Sequence, residues 1–309
     1  MSVNDRLWNE TAERRSRDEL QAGENFPVAS RLLPARYRAH LLNVYGYARL
    51  VDDIGDEAPP GERAELLDLV ERDLDRIYAG TAPELPAMRH LAVTVTDRGI
   101  PAEPFRRLLR ANRQDQEVST YATFDDLLAY CTLSADPVGH IVLHVFGAAT
   151  PDRLGLSDRV CTALQIIEHC QDVGEDHRNG RVYLPQDDLR RFGCAEDDLA
   201  RRVTPTRLRG VVALQAARAK QMLDEGSALT VRLQGFARVA VAGYVAGGLA
   251  ALSALDRGAY DVLGGTSRPK KTRLLAEWSR TLSASHPRRA RAGRIPPDTP
   301  DEGYSQRRR

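Results

Sequence analysis

Two acidic tracts have the residue types and spacing of a metal site. Residues 52–56 read DDIGD, and residues 172–176 read DVGED. Each tract places two aspartates four residues apart, so on a helix the two carboxylates project about 40° apart around the axis. Carboxylate oxygens are the ligands that Mg²⁺ takes in proteins. The spacing therefore predicts a divalent-metal site at each tract.

Each acidic tract runs into residues that stop helices. Residues 58–61 (APPG) follow the first tract, and residues 177–180 (HRNG) follow the second. We therefore expect both tracts at the C-terminal ends of helices. Carboxylates oppose the helix dipole there, at a cost of a few tenths to about 1 kcal/mol each. A bound cation would reverse that cost.

The presence of two such tracts points to a diphosphate ligand. If the two helices face each other across a cavity, four carboxylates can hold two or three Mg²⁺ ions and leave positions for water and phosphate. A diphosphate binds between such metals and nearby arginines and becomes a leaving group. A site of this kind generates carbocations.

Polar residues precede each tract on the same helix face. Arg49 lies three residues before Asp52, and Tyr45 lies one turn earlier; Gln165 and Glu168 continue the face of the second tract. Two interpretations stay open for each. Arg49 either contacts phosphate or forms a salt bridge with the adjacent acids. The other two polar side chains either serve the site or are exposed surface.

A basic loop follows the second tract. It contains Arg178, Arg181 and Tyr183. The two arginines are suited to closing the cavity mouth as bidentate phosphate donors. The alternative is an ordinary basic turn that ends a helix. Gly55 and Gly174 also have two interpretations: either the helices fray there, or the glycines clear space for metals and phosphate.

Composition excludes several classes of function. The chain has 309 residues and a formal net charge of +1, so neither nucleic acid nor an anionic membrane is expected as an electrostatic partner. It contains no GxGxxG, Walker-type or GxSxG stretch, so a nucleotide site of the usual kinds is not indicated. His140, His144 and His169 are interpreted as core or cavity-lining residues. The four cysteines lack metal-type spacing, which indicates reduced thiols in a cytosolic protein.

Apolar residues recur at spacings of three and four through most of the chain, which predicts an all-α fold. We expect one helical domain over 18–282, a flexible segment over 1–17 and a disordered tail over 283–309. The apolar run at 236–255 contains an arginine and several glycines, so it is predicted to be a buried helix. Helices are predicted at 35–57, 62–79, 84–98, 102–115, 124–134, 136–149, 157–176, 205–230, 234–256 and 270–282.

Three blocks of sequence resemble the squalene and phytoene synthase family of head-to-head prenyl synthases. They are residues 26–34 (FPVASRLLP), 45–56 (YGYARLVDDIGD) and 165–185 (QIIEHCQDVGEDHRNGRVYLP), within a resemblance over about 20–265. The resemblance implies the all-α isoprenoid synthase fold, with the two aspartate motifs on opposite walls of a central cavity and Mg²⁺ between them.

The resemblance also implies roles for individual residues. The metal ligands implied by position are Asp52, Asp56, Asp172 and Asp176, with Glu168 as a further candidate. Glu168 stands where the family usually has Asn, and Gln171 stands where many phytoene-type members have Arg. The substrate and diphosphate contacts expected are Phe26, Tyr45, Arg49, Asp53, Gln165, Glu175, Arg178, Arg181 and Tyr183.

Within the family, residues 24–30 (ENFPVAS), 134–139 (SADPVG) and 161–165 (CTALQ) look most like the hydroxysqualene-forming branch of the hopanoid pathway. That branch ionises presqualene diphosphate, opens its ring and captures the cation with water. No reductant is consumed, so no nucleotide cofactor is expected. The second acidic tract is closer to phytoene and presqualene-forming members. The alternatives are head-to-head condensation of two farnesyl or geranylgeranyl diphosphates, or a non-catalytic assembly factor.

The implied substrate and product set the expected partners. A prenyl diphosphate is the expected substrate. We expect a cytoplasmic enzyme whose long apolar product favours peripheral contact with the inner face of the membrane. Handover to other enzymes of the squalene pathway is a further expectation.

Overall fold

The computed structural model describes residues 33–264 and 271–283. Over these residues the chain consists of helices and loops, with one isolated bridge between Thr120 and Val182. The all-α prediction is confirmed. Phe26, the segment 1–17 and the tail after 283 lie outside the described residues.

The helices are numbered here in chain order. They are α1 (Ala35–Asp56), α2 (Arg63–Tyr78), α3 (Pro86–Arg98), α4 (Ala102–Gln114), α5 (Phe124–Ser134), α6 (Asp136–Val145), α7 (Pro151–Gln171), α8 (Val173–Arg178), α9 (Gln186–Arg191), α10 (Thr206–Gly226), α11 (Leu229–Arg232), α12 (Gly235–Arg257) and α13 (Lys271–Ser283).

The helix that carries the second acidic tract differs from the prediction. It was expected to run unbroken over 157–176, but α7 begins at Pro151 and ends at Gln171, and α8 follows it. Proline favours the first position of a helix because its missing N–H would have no partner there. Asp172 leaves the helical conformation, with φ −104° and ψ 15°. The second tract therefore crosses a helix break.

Other differences are shorter. The predicted helix over 205–230 is divided into α10 and α11, and the one over 136–149 ends at Val145, shortly before Gly147 with φ +66°. The sequence reading missed α9 and the 3₁₀ turn Glu196–Asp198. Helices of one or two turns are too short for apolar periodicity to reveal them.

The buried apolar residues form two clusters. One is built mainly by α1 to α4 and includes Tyr47 and Phe105, whose rings meet edge to face at 5.1 Å. The other is built mainly by α5, α7, α10 and α12, and α6 contributes to both. The apolar helix α12 is long enough to cross a membrane, but 61% of its most apolar window is buried within the fold. The buried-helix prediction therefore agrees with the structure.

A cavity of about 530 Å³ lies between the two clusters. One wall is the face of α1 that carries Leu41, Val44 and Tyr45, and the facing wall is α7. Helices α6 and α12 supply further lining residues. Most of the lining is apolar, and the fold thus places the helices of both acidic tracts around one apolar chamber.

Candidate active site

Both acidic tracts lie at the same end of the cavity. Tyr45 lines it from α1, one to two turns before Asp52, and Glu168 and Gln171 line it from α7 immediately before Asp172. The two ends are joined directly, because Arg181 Nη2 donates to Asp56 Oδ1 at 2.9 Å. A residue of the loop after the second tract thus reaches a carboxylate of the first.

In the first tract, an amide holds one carboxylate. Asn112 Nδ2 on α4 donates to Asp52 Oδ1 at 3.2 Å. A Cβ atom at Gly55 would lie only 2.2 Å from Asn112 Oδ1. Gly55 therefore lets the Asn112 amide approach the tract. The sequence suggested instead that this glycine marks a frayed helix end or clears space for metals and phosphate.

The end of α1 has its backbone carbonyls satisfied by side chains. Gln116 Nε2 donates to the Gly55 carbonyl at 3.2 Å. The Arg63 guanidinium donates to the carbonyls of Asp56 at 3.0 Å and Ala58 at 2.8 Å. Positive charge is favourable at a helix C-terminus. Arg63 therefore offsets part of the cost that the acidic tract imposes there.

Arg49 forms the salt bridges that one interpretation anticipated. Its Nε lies 2.7 Å from Asp53 Oδ1, and its Nη2 lies 3.4 Å from Glu57 Oε1. The side chain is 45% exposed, and an exposed pair of this kind contributes only about 0.2–1 kcal/mol to stability. The Arg49 guanidinium therefore lies beside the tract and contributes little to the stability of the fold.

The carboxyl of Asp52 has a raised pKa. Enclosure by protein raises its pKa, the Asn112 hydrogen bond opposes that rise, and the neighbouring Asp56 adds to it. The residue is nevertheless exposed. A bound cation would favour the charged form of this carboxyl and so oppose the rise in its pKa.

The second tract is held by a different set of contacts. Asp176 retains a helical bond, since its N–H donates to the Asp172 carbonyl at 2.8 Å across the break. His169 Nδ1 lies 3.7 Å from Asp176 Oδ2, and His169 Nε2 lies 3.0 Å from the amide nitrogen of Gln165. The His169 ring stacks on Tyr183 with centroids 3.7 Å apart.

The basic loop divides into inner and outer residues. Tyr183 is buried and Arg181 is partly buried, whereas Glu175 and Arg178 are exposed. Arg181 and Tyr183 therefore lie on the inner side and Arg178 on the outer side, and their roles toward phosphate stay predictions. Gly174 lies against Leu263, whose Cδ2 would be 3.0 Å from an added Cβ. This glycine therefore serves packing.

Three tyrosines form a buried cluster behind the second tract. The Tyr183 ring lies 5.8 Å from that of Tyr121 and 5.7 Å from that of Tyr130. Tyr130 donates its hydroxyl to Asp115 Oδ2 at 2.8 Å. Burial raises the pKa of Asp115 to about 6, although this hydrogen bond and Arg181 lower it. The cluster connects the second tract to the loop that follows α4.

The oxygen donors suit Mg²⁺ bound through few protein ligands. Among residues 33–264 and 271–283, no three His, Cys, Asp or Glu side chains stand close enough to hold one ion as they are arranged. Mg²⁺ keeps several waters and is usually bound by one or two carboxylates together with substrate phosphates. The pairs Asp52 with Asp56 and Asp172 with Asp176 fit that mode, and Glu168 offers one more oxygen donor at the cavity wall.

Several residues of the site escaped the sequence reading. Asn112, Gln116 and Arg63 come from α4, the turn after it and α2, so no local spacing connects them with residues 52–56. His169 was recognised only as a core or cavity-lining residue. Its spacing of four residues from Gln165 and seven from Asp176 was the available signal.

Comparisons with known proteins agree with this architecture. A family model described as squalene/phytoene synthase matches residues 20–275. A hydroxysqualene synthase from Rhodopseudomonas palustris is 36% identical over 230 residues, which is 72% of this chain and 77% of the relative.

Two solved structures are also similar. Squalene synthase HpnC from Alicyclobacillus acidocaldarius has 42% sequence identity and a TM-score of 0.74, over 80% of this chain and 94% of that protein. A dehydrosqualene synthase determined in complex with a ligand has 23% identity and a TM-score of 0.79, over 91% and 98% of the two chains. The second similarity concerns the fold alone.

Proposed function

Because the chain belongs to the squalene/phytoene synthase family and is thus a prenyl-transferring enzyme, we propose that it converts presqualene diphosphate to hydroxysqualene in a Mg²⁺-dependent reaction. In this reaction the carbon–oxygen bond to the diphosphate breaks and the electron pair leaves with pyrophosphate. The cyclopropane ring opens, and a water molecule adds to the resulting allylic cation and loses a proton. The reaction belongs to squalene and hopanoid biosynthesis.

One observation carries the proposal: two carboxylate pairs flank the same end of an apolar cavity. Arg181 joins the two tracts through Asp56, and Tyr45 and Glu168 line the cavity next to them. Charged groups at one end and apolar walls beyond them match a substrate with a diphosphate head and long hydrocarbon chains.

The proposed metal ligands are Asp52, Asp56, Asp172 and Asp176, together with Glu168. Bound Mg²⁺ supplies positive charge that makes diphosphate a better leaving group. Arg181 and Arg49 offer guanidinium groups for the phosphate oxygens.

The remaining contacts concern the substrate. We propose that Tyr45 and Gln165 orient its reacting part, and that Asp53, Glu175, Arg178 and Tyr183 complete the polar end. The apolar walls exclude bulk water from the hydrocarbon chains, which limits premature quenching of the cation.

The test is an incubation of the pure protein with Mg²⁺ and presqualene, farnesyl or geranylgeranyl diphosphate, with and without NADPH, followed by mass spectrometry. Hydroxysqualene formed from presqualene diphosphate without NADPH is the expected product. Phytoene or presqualene diphosphate as the only product would assign the chain to the condensing branch instead. No product from any substrate would contradict the proposal altogether.

We propose further that the enzyme is cytoplasmic and docks transiently on the inner membrane face to hand its product to the next enzymes. The long apolar product supports this, since it is poorly soluble in water. Sedimentation with liposomes tests docking. Complete recovery of the protein in the supernatant would count against it.

A further inference from the structure

His169 is a buried residue among the proposed site residues. Its side chain is only 9% exposed, and its ring lies nearly parallel to that of Tyr183, with 12° between the planes and 3.7 Å between the centroids. The flat stack fixes the plane of the imidazole. It therefore also fixes the directions in which the two ring nitrogens point.

The two nitrogens face two different residues of the proposed site. Nε2 lies 3.0 Å from the amide nitrogen of Gln165, and Nδ1 lies 3.7 Å from Asp176 Oδ2. An amide NH₂ group only donates hydrogen bonds, so with the Gln165 amide in this orientation Nε2 is the acceptor. The proton of a neutral imidazole then resides on Nδ1, on the side of the Asp176 carboxylate.

The helix break explains why such a contact matters at this place. Asp176 lies on α8, which has six residues, and the break at Asp172 separates it from the long helix α7. The ring of His169, on α7, spans that break. Its stacking partner Tyr183 is fixed in turn by Tyr121 and Tyr130.

We infer that His169 is a positioning residue: its ring, stacked on Tyr183, directs Nδ1 toward the Asp176 carboxylate and Nε2 toward Gln165. This inference rests on the proposed function, because it assumes that Asp176 binds metal. Residues that orient metal ligands typically change metal affinity 10–100-fold when they are replaced. A histidine that only filled space would leave metal affinity unchanged when a ring of similar shape took its place.

The test compares His169→Phe with His144→Phe. The first variant keeps a ring that can stack on Tyr183 but lacks both nitrogens. The second removes a partly buried histidine of α6 whose Nδ1 hydrogen-bonds to the His140 carbonyl and which does not line the cavity. Calorimetry measures the binding of Mg²⁺ together with inorganic pyrophosphate, and thermal denaturation reports the fold.

We expect His169→Phe to weaken Mg²⁺–pyrophosphate binding by about 10-fold while its melting temperature stays close to that of the unchanged protein. His144→Phe should bind as tightly as the unchanged protein. Equal binding by the His169 variant would overturn the inference. If the unchanged protein bound neither ion, the proposed function would fail instead.

A second measurement needs no variant. Nitrogen-15 chemical shifts of the histidine rings in the intact protein report which ring nitrogen carries the proton. With Nε2 accepting from the Gln165 amide, the proton of His169 is expected on Nδ1. A proton on Nε2 would overturn the inference even if the Phe variant failed to fold.

Discussion

The first aspartate motif ends an unbroken helix, whereas the second crosses a helix break. In the first, α1 itself keeps Asp52 and Asp56 one turn apart, and Asn112, Gln116 and Arg63 hold the helix end from outside. In the second, the six-residue helix α8 carries Asp176, and an aromatic stack supports it. Two aspartates four residues apart thus occur in two kinds of local structure.

The two aspartate motifs are supported by different kinds of contact. The first motif depends on hydrogen bonds from amide and guanidinium groups, which are directional and sensitive to the removal of one donor. The second depends on stacked rings, which fix the direction of the two His169 nitrogens, so both ring shape and polar contacts count. We therefore expect the two motifs to respond alike when their carboxylates are changed and differently when their supports are changed.

The largest effect should come from the carboxylates themselves. Asp52→Asn and Asp172→Asn should each reduce pyrophosphate release by about 1,000-fold, because each removes a proposed metal ligand. Circular dichroism should show an unchanged helical fold. Near-normal turnover in either variant would show that the affected motif does not bind metal.

A smaller loss is expected from Arg49→Ala. This change should lower turnover by about 100-fold if the guanidinium contacts the diphosphate, with little change in the free energy of unfolding. Arg63→Ala is the matched comparison, because Arg63 binds backbone carbonyls and its loss should mainly reduce stability. If Arg49→Ala proved to be both inactive and unfolded, Arg49 would be a structural salt-bridge residue.

Removal of the Asn112 amide should have a weaker effect. Asn112→Ala should raise the Mg²⁺ concentration needed for half-maximal activity by about 10-fold, since Asp52 loses the donor that orients it. Gly55→Ala should have a similar effect, because its methyl group displaces the same amide. The double variant should be no worse than either single change, and additive losses would contradict this coupling.

The smallest effect on activity is expected far from both motifs, at Asp136. Burial raises the pKa of this carboxyl to about 7, and the neighbouring Asp158 adds to the rise. A hydrogen bond from Thr162 and the charges of His140 and Arg107 lower the pKa in part. Between about pH 4 and pH 7 the unfolded chain ionises Asp136 while the folded chain keeps it protonated. The folded state therefore loses stability as the pH rises through this window.

Asp136→Asn should remove that loss. Urea unfolding should show that the stability gained by the variant over the unchanged protein is larger at pH 8 than at pH 5, by about 1 to 2 kcal/mol. The Thr162 hydroxyl can still donate to the amide oxygen. Equal gains at both pH values would mean that Asp136 is ionised in the folded protein throughout.

Sequence reasoning predicted the elements that repeat and missed the contacts between distant elements. The helix α5 has the predicted bounds, and α1 ends within one residue of its prediction, because apolar periodicity extends over many turns. The break at Asp172 was missed, since the acidic tract continues through it without a proline. Asn112 reaches Asp52 across 60 positions, and nothing local in the sequence signals such a pairing.

The contact between Gly55 and Asn112 has a consequence for comparing relatives of this enzyme. A larger residue at position 55 and an amide at position 112 compete for the same space, so the two positions are expected to covary. A homologue with alanine at the first position should carry a different side chain at the second, and its first carboxylate would need another donor. Variation at position 112 among homologues would then follow the residue at position 55 and would not be independent of it.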